Sequence, residues 1–414
     1  MDFNDTPEEA AFRAEARAWL EANAEIKDPN DPGDDLLGER TDPGTIAAAK
    51  AWQKKKADGG WACITWPEEF GGRGATPIQN VIWGQEESKF KTPPNIFGIG
   101  IGMCGPTVLT HGNDQQKKQW IPDLLSGERV WCQLFSEPSA GSDLAGLRTT
   151  AVPDGDEWVV NGQKIWTTGA QFCDWGILVV RTDPTVAKHA GLSYFVVDMH
   201  SPGVEVRPIT QINHGQGFNE VFFSDVRIPD ANRLSEVGNG WAVAITTLMN
   251  ERASIGGGGG GDTIGDQLEL AEGVEKGGRP AIEDSSVREK IADFYTRSRG
   301  VRYTGYRTLT ALSKGTTPGP ESSLGKLIGG VLAQDMAAFG IELGGVASAT
   351  HDDAATPGGS AFHDMYLAIP GLRIAGGTDE VLRNIISERV LGLPPETRAD
   401  KGIAFKDVPT GPAS

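Results

Sequence analysis

The chain has 414 residues, 38% of them apolar, and a formal net charge of −18. That length exceeds one ordinary core and calls for two or three packed units. The acidic balance argues against nucleic acid or an anionic membrane as partner, although a local Arg or Lys can still hold a small anionic ligand.

In chain order, Met1-Asp2-Phe3-Asn4-Asp5 has neither a basic nor an apolar stretch, so no secretion signal is expected. Residues 1–128 read as a helical domain. Thr6-Pro7-Glu8-Glu9 is a helix start, with a Thr cap, Pro at the first helical position and Glu three residues after the cap. Phe12, Ala16, Trp19 and Leu20 then form one apolar stripe. Gly59-Gly60, Pro67 and the glycines around Arg73 predict loops, and the apolar, Gly-rich stretch from Gly98 to Gly105 predicts tight packing or a pocket wall.

Residues 129–235 change to strand texture and predict a middle β domain, a small barrel or sandwich. Pro153-Asp154-Gly155-Asp156 reads as a turn before the strand Trp158-Val159-Val160, and Asn161-Gly162 as a two-residue hairpin. Residues 236–395 return to helical spacing, with helices expected over Val287 to Ala311 and Leu324 to Leu343. Six glycines at 256–261 mark a helix end, a flexible loop or a place where bulk is excluded. Residues 396–414 predict an extended tail. The fold class is therefore α+β and multidomain: helical, then β, then a C-terminal helical bundle.

No run of about 18 apolar residues occurs, so no membrane insertion is expected. Cys63, Cys104, Cys132 and Cys173 form no CxxC pair and read as free thiols in a reducing cytoplasm. The six histidines show no HxxxH or HxH spacing, so no metal site is expected.

Two segments carry chemistry. Residues 133–143 read Gln-Leu-Phe-Ser-Glu-Pro-Ser-Ala-Gly-Ser-Asp, and residues 161–169 read Asn-Gly-Gln-Lys-Ile-Trp-Thr-Thr-Gly. Composition leaves two readings: a Gly/Ser loop before a hairpin, or a cradle of hydroxyls and N–H groups for a flat, phosphate-bearing cofactor. Together the segments resemble the acyl-CoA dehydrogenase family, whose members carry Ser/Thr-Glu-Pro-x-Ala-Gly-Ser-Asp and then Asn-Gly-x-Lys-x-Trp-x-Thr in a middle β domain between helical domains. The resemblance implies FAD as cofactor and four-helix-bundle packing in the C-terminal domain. It implies that Ser136 and Thr168 bond the isoalloxazine edge, that Gly141 and Ser142 lie near the pyrophosphate, and that Trp166 packs on the ring. Ser142 capping its own turn and Trp166 as ordinary core remain open.

Removing an α-proton from a thioester needs a desolvated base beside an enolate-stabilising site. Many family members place it in Tyr-Glu-Gly-Thr near the C-terminus. Here that stretch is Ala375-Gly376-Gly377-Thr378, with glycine at the glutamate position. Isovaleryl-type and long-chain-type members instead place a glutamate on an earlier helix directly before an Arg, which matches Glu251-Arg252. Ala244, Leu248, Glu251 and Ile255 share one helical face, so Glu251 sits among apolar neighbours, where a carboxylate gains basicity. The competing reading is a surface Glu beside a surface Arg. The resemblance also implies thioester-carbonyl donation by the Gly376 N–H, and Arg252 and Ser142 as substrate contacts.

Arg279 stands where the family has Arg-x-x-Phe-Gly, without the Phe and Gly. Ile341 stands where Gln begins Gln-x-x-Gly-Gly, and Thr378 is kept. The half-site offered to a neighbour's FAD is thus eroded, as in actinobacterial members that assemble as mixed tetramers, some acting on steroid side-chain thioesters. The expected partners are an acyl-CoA, an electron-transfer flavoprotein as acceptor, and further subunits in a homo- or hetero-tetramer. The alternatives are a mainly structural subunit, which has no need of Glu251, and an acyl-CoA oxidase or flavin monooxygenase on the same fold.

Overall fold

The computed structural model describes residues 5–27, 42–257, 264–314, 319–352, 356, 360–398 and 400–409. The first helix, α1 (Pro7–Asn23), begins as its sequence dictates. Thr6 Oγ1 accepts from the Glu9 N–H, and the Glu9 carboxylate accepts from the Thr6 N–H. Its buried positions, Phe12, Ala16 and Leu20, recur every four residues. They pack against Trp61, Ile64, Ile82, Trp83 and Phe90, and Trp61 stacks on Trp83 at 4.7 Å between centroids. Strand β1 (Glu25–Ile26), helices α2 (Pro43–Asp58) and α3 (Pro77–Glu87) and strand β2 (Phe90–Lys91) follow, with β1 antiparallel to β2. Helices α4 (Gly105–His111) and α5 (Asp114–Ser126) complete the helical part. The expected tight packing at Gly98–Gly105 is real: a Cβ on Gly105 would lie 2.3 Å from the Trp66 ring.

Strands β3 (Trp131–Leu134), β4 (Thr150–Asp154), β5 (Glu157–Thr168), β6 (Trp175–Arg181), β7 (Leu192–Asp198), β8 (Val204–Ile209) and β9 (Phe218–Pro229) form one curled, seven-stranded sheet. Its order is β3-β6-β4-β5-β9-β8, with β7 also on β6, and β3 runs parallel to β6. Val160, Leu178, Val180, Phe195, Val197 and Val221 fill its core. The predicted turn at Asp154-Gly155 joins β4 to β5, with Gly155 left-handed at φ +68°.

The hairpin predicted at Asn161-Gly162 is not one. Strand β5 runs straight through, and a β-bulge falls between Val160 and Gly162. Asn161 spends its amide on Asp225 of β9, donating at 2.9 Å to the carboxylate and accepting at 2.9 Å from the Asp225 N–H. Gly162 is needed because a Cβ would meet Thr149 Oγ1 at 2.4 Å. The same dipeptide chemistry that favours turns serves a bulge once a third strand is present.

Contacts divide the chain into two compact units, one of residues 1–211, 215–251 and 397–414, the other of 212–214 and 252–396. Helix α6 (Gly240–Gly257) carries the chain from the first to the second and ends in the polyglycine; residues 258–261 lie outside the described residues. The second unit holds α7 (Ile264–Gly273), the hairpin β10 (Glu275–Lys276) and β11 (Arg279–Pro280), then α8 (Ser285–Ser313), α9 (Ser323–Gly344), α10 (Ala361–Leu372) and α11 (Asp379–Ile385). Ala271, Val287, Ile291, Phe294, Leu332 and Met336 form its core. Gly340 lets α9 and α10 meet: a Cβ there would lie 2.4 Å from Phe362.

The stretch Ser323–Ala349 is long and apolar enough to cross a membrane, with a mean hydropathy of 1.3. Within the second unit it is the central packing helix instead: Leu327, Leu332, Met336 and Ala337 are buried, and Asp335 pairs with Arg297 at 2.9 Å. The tail departs from the extended reading by docking on the first unit through a short turn at Phe405–Asp407. Ala404 bridges Ala187, and the Phe405 N–H donates to the Val186 carbonyl.

Candidate active site

The two motif segments meet at one place in the first unit. Pro138 and Ser139 form a tight turn closed by reciprocal backbone bonds between Glu137 and Ala140 at 3.0 Å. The Ile165 N–H donates to the Ser136 carbonyl at 2.9 Å, which sets the first motif beside Trp166. Beneath them lies a buried ionic clasp. Lys164 is fully buried and donates to Glu137 Oε1 and to the Phe135 carbonyl, both at 2.9 Å. The Glu137 carboxylate also accepts from the N–H groups of Arg148 at 2.6 Å and Thr149 at 2.9 Å. Burial pushes the Glu137 carboxyl up, but Lys164 and these donors outweigh it and hold it below the ordinary range. Burial likewise pulls Lys164 below the ordinary lysine range, against the pull of Glu137.

Over this clasp the backbone is strained. A second register shift in β5, between Lys164 and Thr167, puts Trp166 at φ +60°, a left-handed conformation costly for an aromatic residue. The shift turns the indole outward: it is 56% exposed and meets Phe218 edge-on at 6.1 Å. Trp166 is therefore not ordinary core. Thr168, Gly141 and Ser142 are exposed and Ser136 is half-buried. A Cβ on Gly141 would meet nothing within 4 Å, so that face is open to a ligand.

Helix α6 is fastened to the same unit. Fully buried Thr247 bonds Thr107 Oγ1 at 2.9 Å and the Tyr194 hydroxyl at 2.8 Å, and Thr246 bonds His111 Nε2 at 2.8 Å. One turn on from Thr247, the half-buried Glu251 carboxylate accepts from Gln133 Nε2 at 3.2 Å. Gln133 lies on β3, three residues before Ser136. Ala244 is fully buried and Leu248 packs on the core, so the apolar face expected for Glu251 exists. The side chains of Arg252 and Ile255 lie outside the described residues.

Arg279, Gly376 and Thr378 belong to the second unit. Arg279 is exposed on β11, beside the left-handed turn Gly277-Gly278. Gly376 and Gly377 have φ of +65° and +98°, so the backbone itself asks for glycine there. Among the described residues no backbone acceptor meets the Gly376 N–H, as an oxyanion donor requires. Lys326 steadies this loop by donating to the carbonyls of Arg373 at 3.0 Å and Gly377 at 2.6 Å, and Arg373 pairs with Asp379. Thr378 caps α11, its hydroxyl accepting from the Val381 N–H at 3.3 Å.

Glu137, Lys164 and Gln133 were not singled out as site residues from the sequence. A signal existed for the first two: both are fixed letters of the motifs, of opposite charge, in apolar surroundings. For Gln133 there was none.

An outward indole, adjacent hydroxyls and an open glycine loop suit a planar ring system with a polar edge and a phosphate tail. A helical, β, helical build with such a cradle is that of a cofactor-dependent enzyme. Sequence profiles for the acyl-CoA dehydrogenase N-terminal, middle and C-terminal domains match residues 6–128, 132–226 and 238–391. The acyl-CoA dehydrogenase IpdE1 of Mycobacterium tuberculosis (strain ATCC 25618 / H37Rv) is 35% identical over 403 residues, 94% of this chain and 98% of that protein. Among solved structures, the Tcur3481-Tcur3483 steroid ACAD aligns with a TM-score of 0.78 and 27% identity, over 96% of this chain and 100% of that one. The ChsE4-ChsE5 complex from Mycobacterium tuberculosis aligns with a TM-score of 0.74 and 29% identity, over 96% and 100%. The chain belongs to the acyl-CoA dehydrogenase family, FAD-dependent oxidoreductases that act on acyl-CoA.

Proposed function

We propose that the chain oxidises an acyl-CoA thioester to the trans-2-enoyl-CoA, with Glu251 as the base that removes the α-proton. The observation that carries this is the Gln133–Glu251 bond, which holds the carboxylate against the strand leading into the flavin cradle. Bound FAD supplies the two-electron acceptor for the β-hydrogen, taken as hydride. Ser136 and Thr168 would hold its ring edge, Trp166 would pack against the ring, and Gly141 and Ser142 would lie near its phosphates. By the family's pattern the Gly376 N–H would be the donor to the thioester carbonyl, giving the charge left by α-proton loss an oxygen with a donor. Glu251→Gln tests the assignment by anaerobic flavin bleaching on adding acyl-CoA. Bound flavin is retained and the rate falls by roughly 10²–10⁴-fold; full reductive activity in the variant rules the assignment out.

The substrate class we infer is a bulky, ring-bearing acyl-CoA, and the working form a mixed tetramer. The support is Ile341 in place of the family's Gln, the loss of Phe and Gly after Arg279, and likeness to a steroid ACAD and to a two-component complex. Electrons would leave through an electron-transfer flavoprotein, the family's usual acceptor. A cytoplasmic setting suits the four free thiols; burial pushes the Cys63 thiol up to about 12, so it is unreactive.

A further inference from the structure

Local spacing along the chain offers no pair of metal ligands, yet folding of the second unit makes a set. Among the described residues, His351, His363 and Asp364 bring three ligand atoms within 4.8 Å of one another. His363 and Asp364 lie in the first turn of α10, and His351 lies in the segment after α9. We propose that these three side chains bind a divalent cation of the zinc type, which ties that segment to α10.

Three observations support the site. His351 Nε2 and Asp364 Oδ1 are 2.8 Å apart, and the two imidazoles lie 5.1 Å apart at 61°. His363 Nδ1 is buried and has no hydrogen-bond partner. Buried polar atoms rarely stay unpaired, and a nitrogen lone pair without a donor is what a metal accepts. The described neighbours of His351 are also tied together. Thr356 is buried; its hydroxyl donates to the Thr350 carbonyl at 2.8 Å, and its N–H donates to the Asp352 carbonyl at 2.8 Å. These two bonds hold the backbone on either side of His351.

Two imidazoles and one carboxylate select zinc, cobalt or nickel over magnesium or calcium, which prefer all-oxygen sites. Metal–ligand bonds of about 2.0–2.1 Å place tetrahedral donors roughly 3.3 Å apart. Binding therefore closes any pair near the 4.8 Å limit by about 1.5 Å, opens the 2.8 Å His351–Asp364 pair by about 0.5 Å, and replaces that hydrogen bond with shared coordination. Three protein ligands leave the fourth position to water.

The test uses untagged, full-length flavoprotein stripped with chelator and titrated with Co²⁺ and then Zn²⁺. About one equivalent binds at micromolar concentration, with visible cobalt bands, and Zn²⁺ raises Tm. His351→Ala and His363→Ala each weaken binding by well over roughly tenfold and abolish the Tm rise, with flavin content unchanged. His200→Ala, in the first unit, binds as wild type. Should His363→Ala misfold, His351→Gln and Asp364→Asn read the same site. Binding unaffected by these variants, or seen only at millimolar metal, overturns the proposal.

Discussion

At the residue scale, the flavin motifs divide their labour. Ser142, Trp166 and Thr168 are exposed and Ser136 is half-buried, while Glu137 and Lys164 lie beneath and hold the two segments in register. Lys164→Met leaves Glu137 buried and unpaired, which costs about 3–5 kcal/mol. Chemical denaturation should show that loss together with reduced flavin occupancy; unchanged occupancy would mean that the cradle does not depend on the clasp. Gln133 matters differently. Its side-chain N–H aims the Glu251 carboxylate toward the strand before the cradle, and Gln133→Leu removes that donor. In that variant kcat should fall severalfold with flavin content unchanged, whereas Glu251→Gln removes nearly all reductive activity; an unchanged kcat would mean that Gln133 does not position the carboxylate. Of these residues only the motif letters are legible in the sequence. The Gln133–Glu251 pairing joins residues 118 positions apart, and no local pattern encodes it.

At the element scale, the helical part of the first unit is locked by one carboxylate. Glu86 of α3 is fully buried and pairs with Arg13 at 2.9 Å, Arg17 at 2.9 Å and Lys89 at 2.7 Å. Burial pushes its carboxyl up, but these three cations more than offset that and hold it at about 2. The folded pKa lies below the unfolded value of about 4.3, so this stabilisation is complete above that value. It is lost as pH falls toward 2, and it amounts to roughly 2–3 kcal/mol. Between about pH 6 and pH 3, wild type should lose stability in urea melts that Glu86→Gln has already lost at pH 6. A parallel pH dependence in the variant would assign the acid sensitivity elsewhere. Helix starts were readable because caps are local: Thr6→Ala at α1 should cost about 1 kcal/mol. The Asn161-Gly162 bulge was not readable, since a dipeptide cannot announce whether a third strand will claim its side chain.

At the scale of the whole molecule, the C-terminal tail closes the first unit. Phe405 lies 3.5 Å over the buried Arg181 guanidinium, which donates to the carbonyls of Ala145, Leu147 and Lys188. Lys188 in turn pairs with Asp143 at 2.8 Å and with Asp400 of the tail. The tail thus braces the loop that carries Gly141 and Ser142. Phe405→Ala should lower the stability of the first unit by about 1–2 kcal/mol and loosen flavin binding. Flavin release on mild heating, unchanged from wild type, would contradict this. For assembly, the first measurement is FAD per polypeptide of the chain purified alone. Little flavin, restored when a second family subunit is co-expressed, supports the mixed tetramer; a ratio near one supports a competent homo-oligomer.

The sequence by itself determined the order of helical, β and helical regions, because periods of 3.6 and 2 are written within a few residues. It also determined the flavin motifs and the candidate base at Glu251, since motif letters and a one-turn apolar face are local as well. Tertiary structure alone decided which charged residues support the cradle, where the tail docks and which histidines meet. Those outcomes depend on contacts between distant segments, such as Lys164 with Glu137 across 27 residues and Gln133 with Glu251 across 118. Only the completed packing of strands and helices brings such pairs within hydrogen-bond reach.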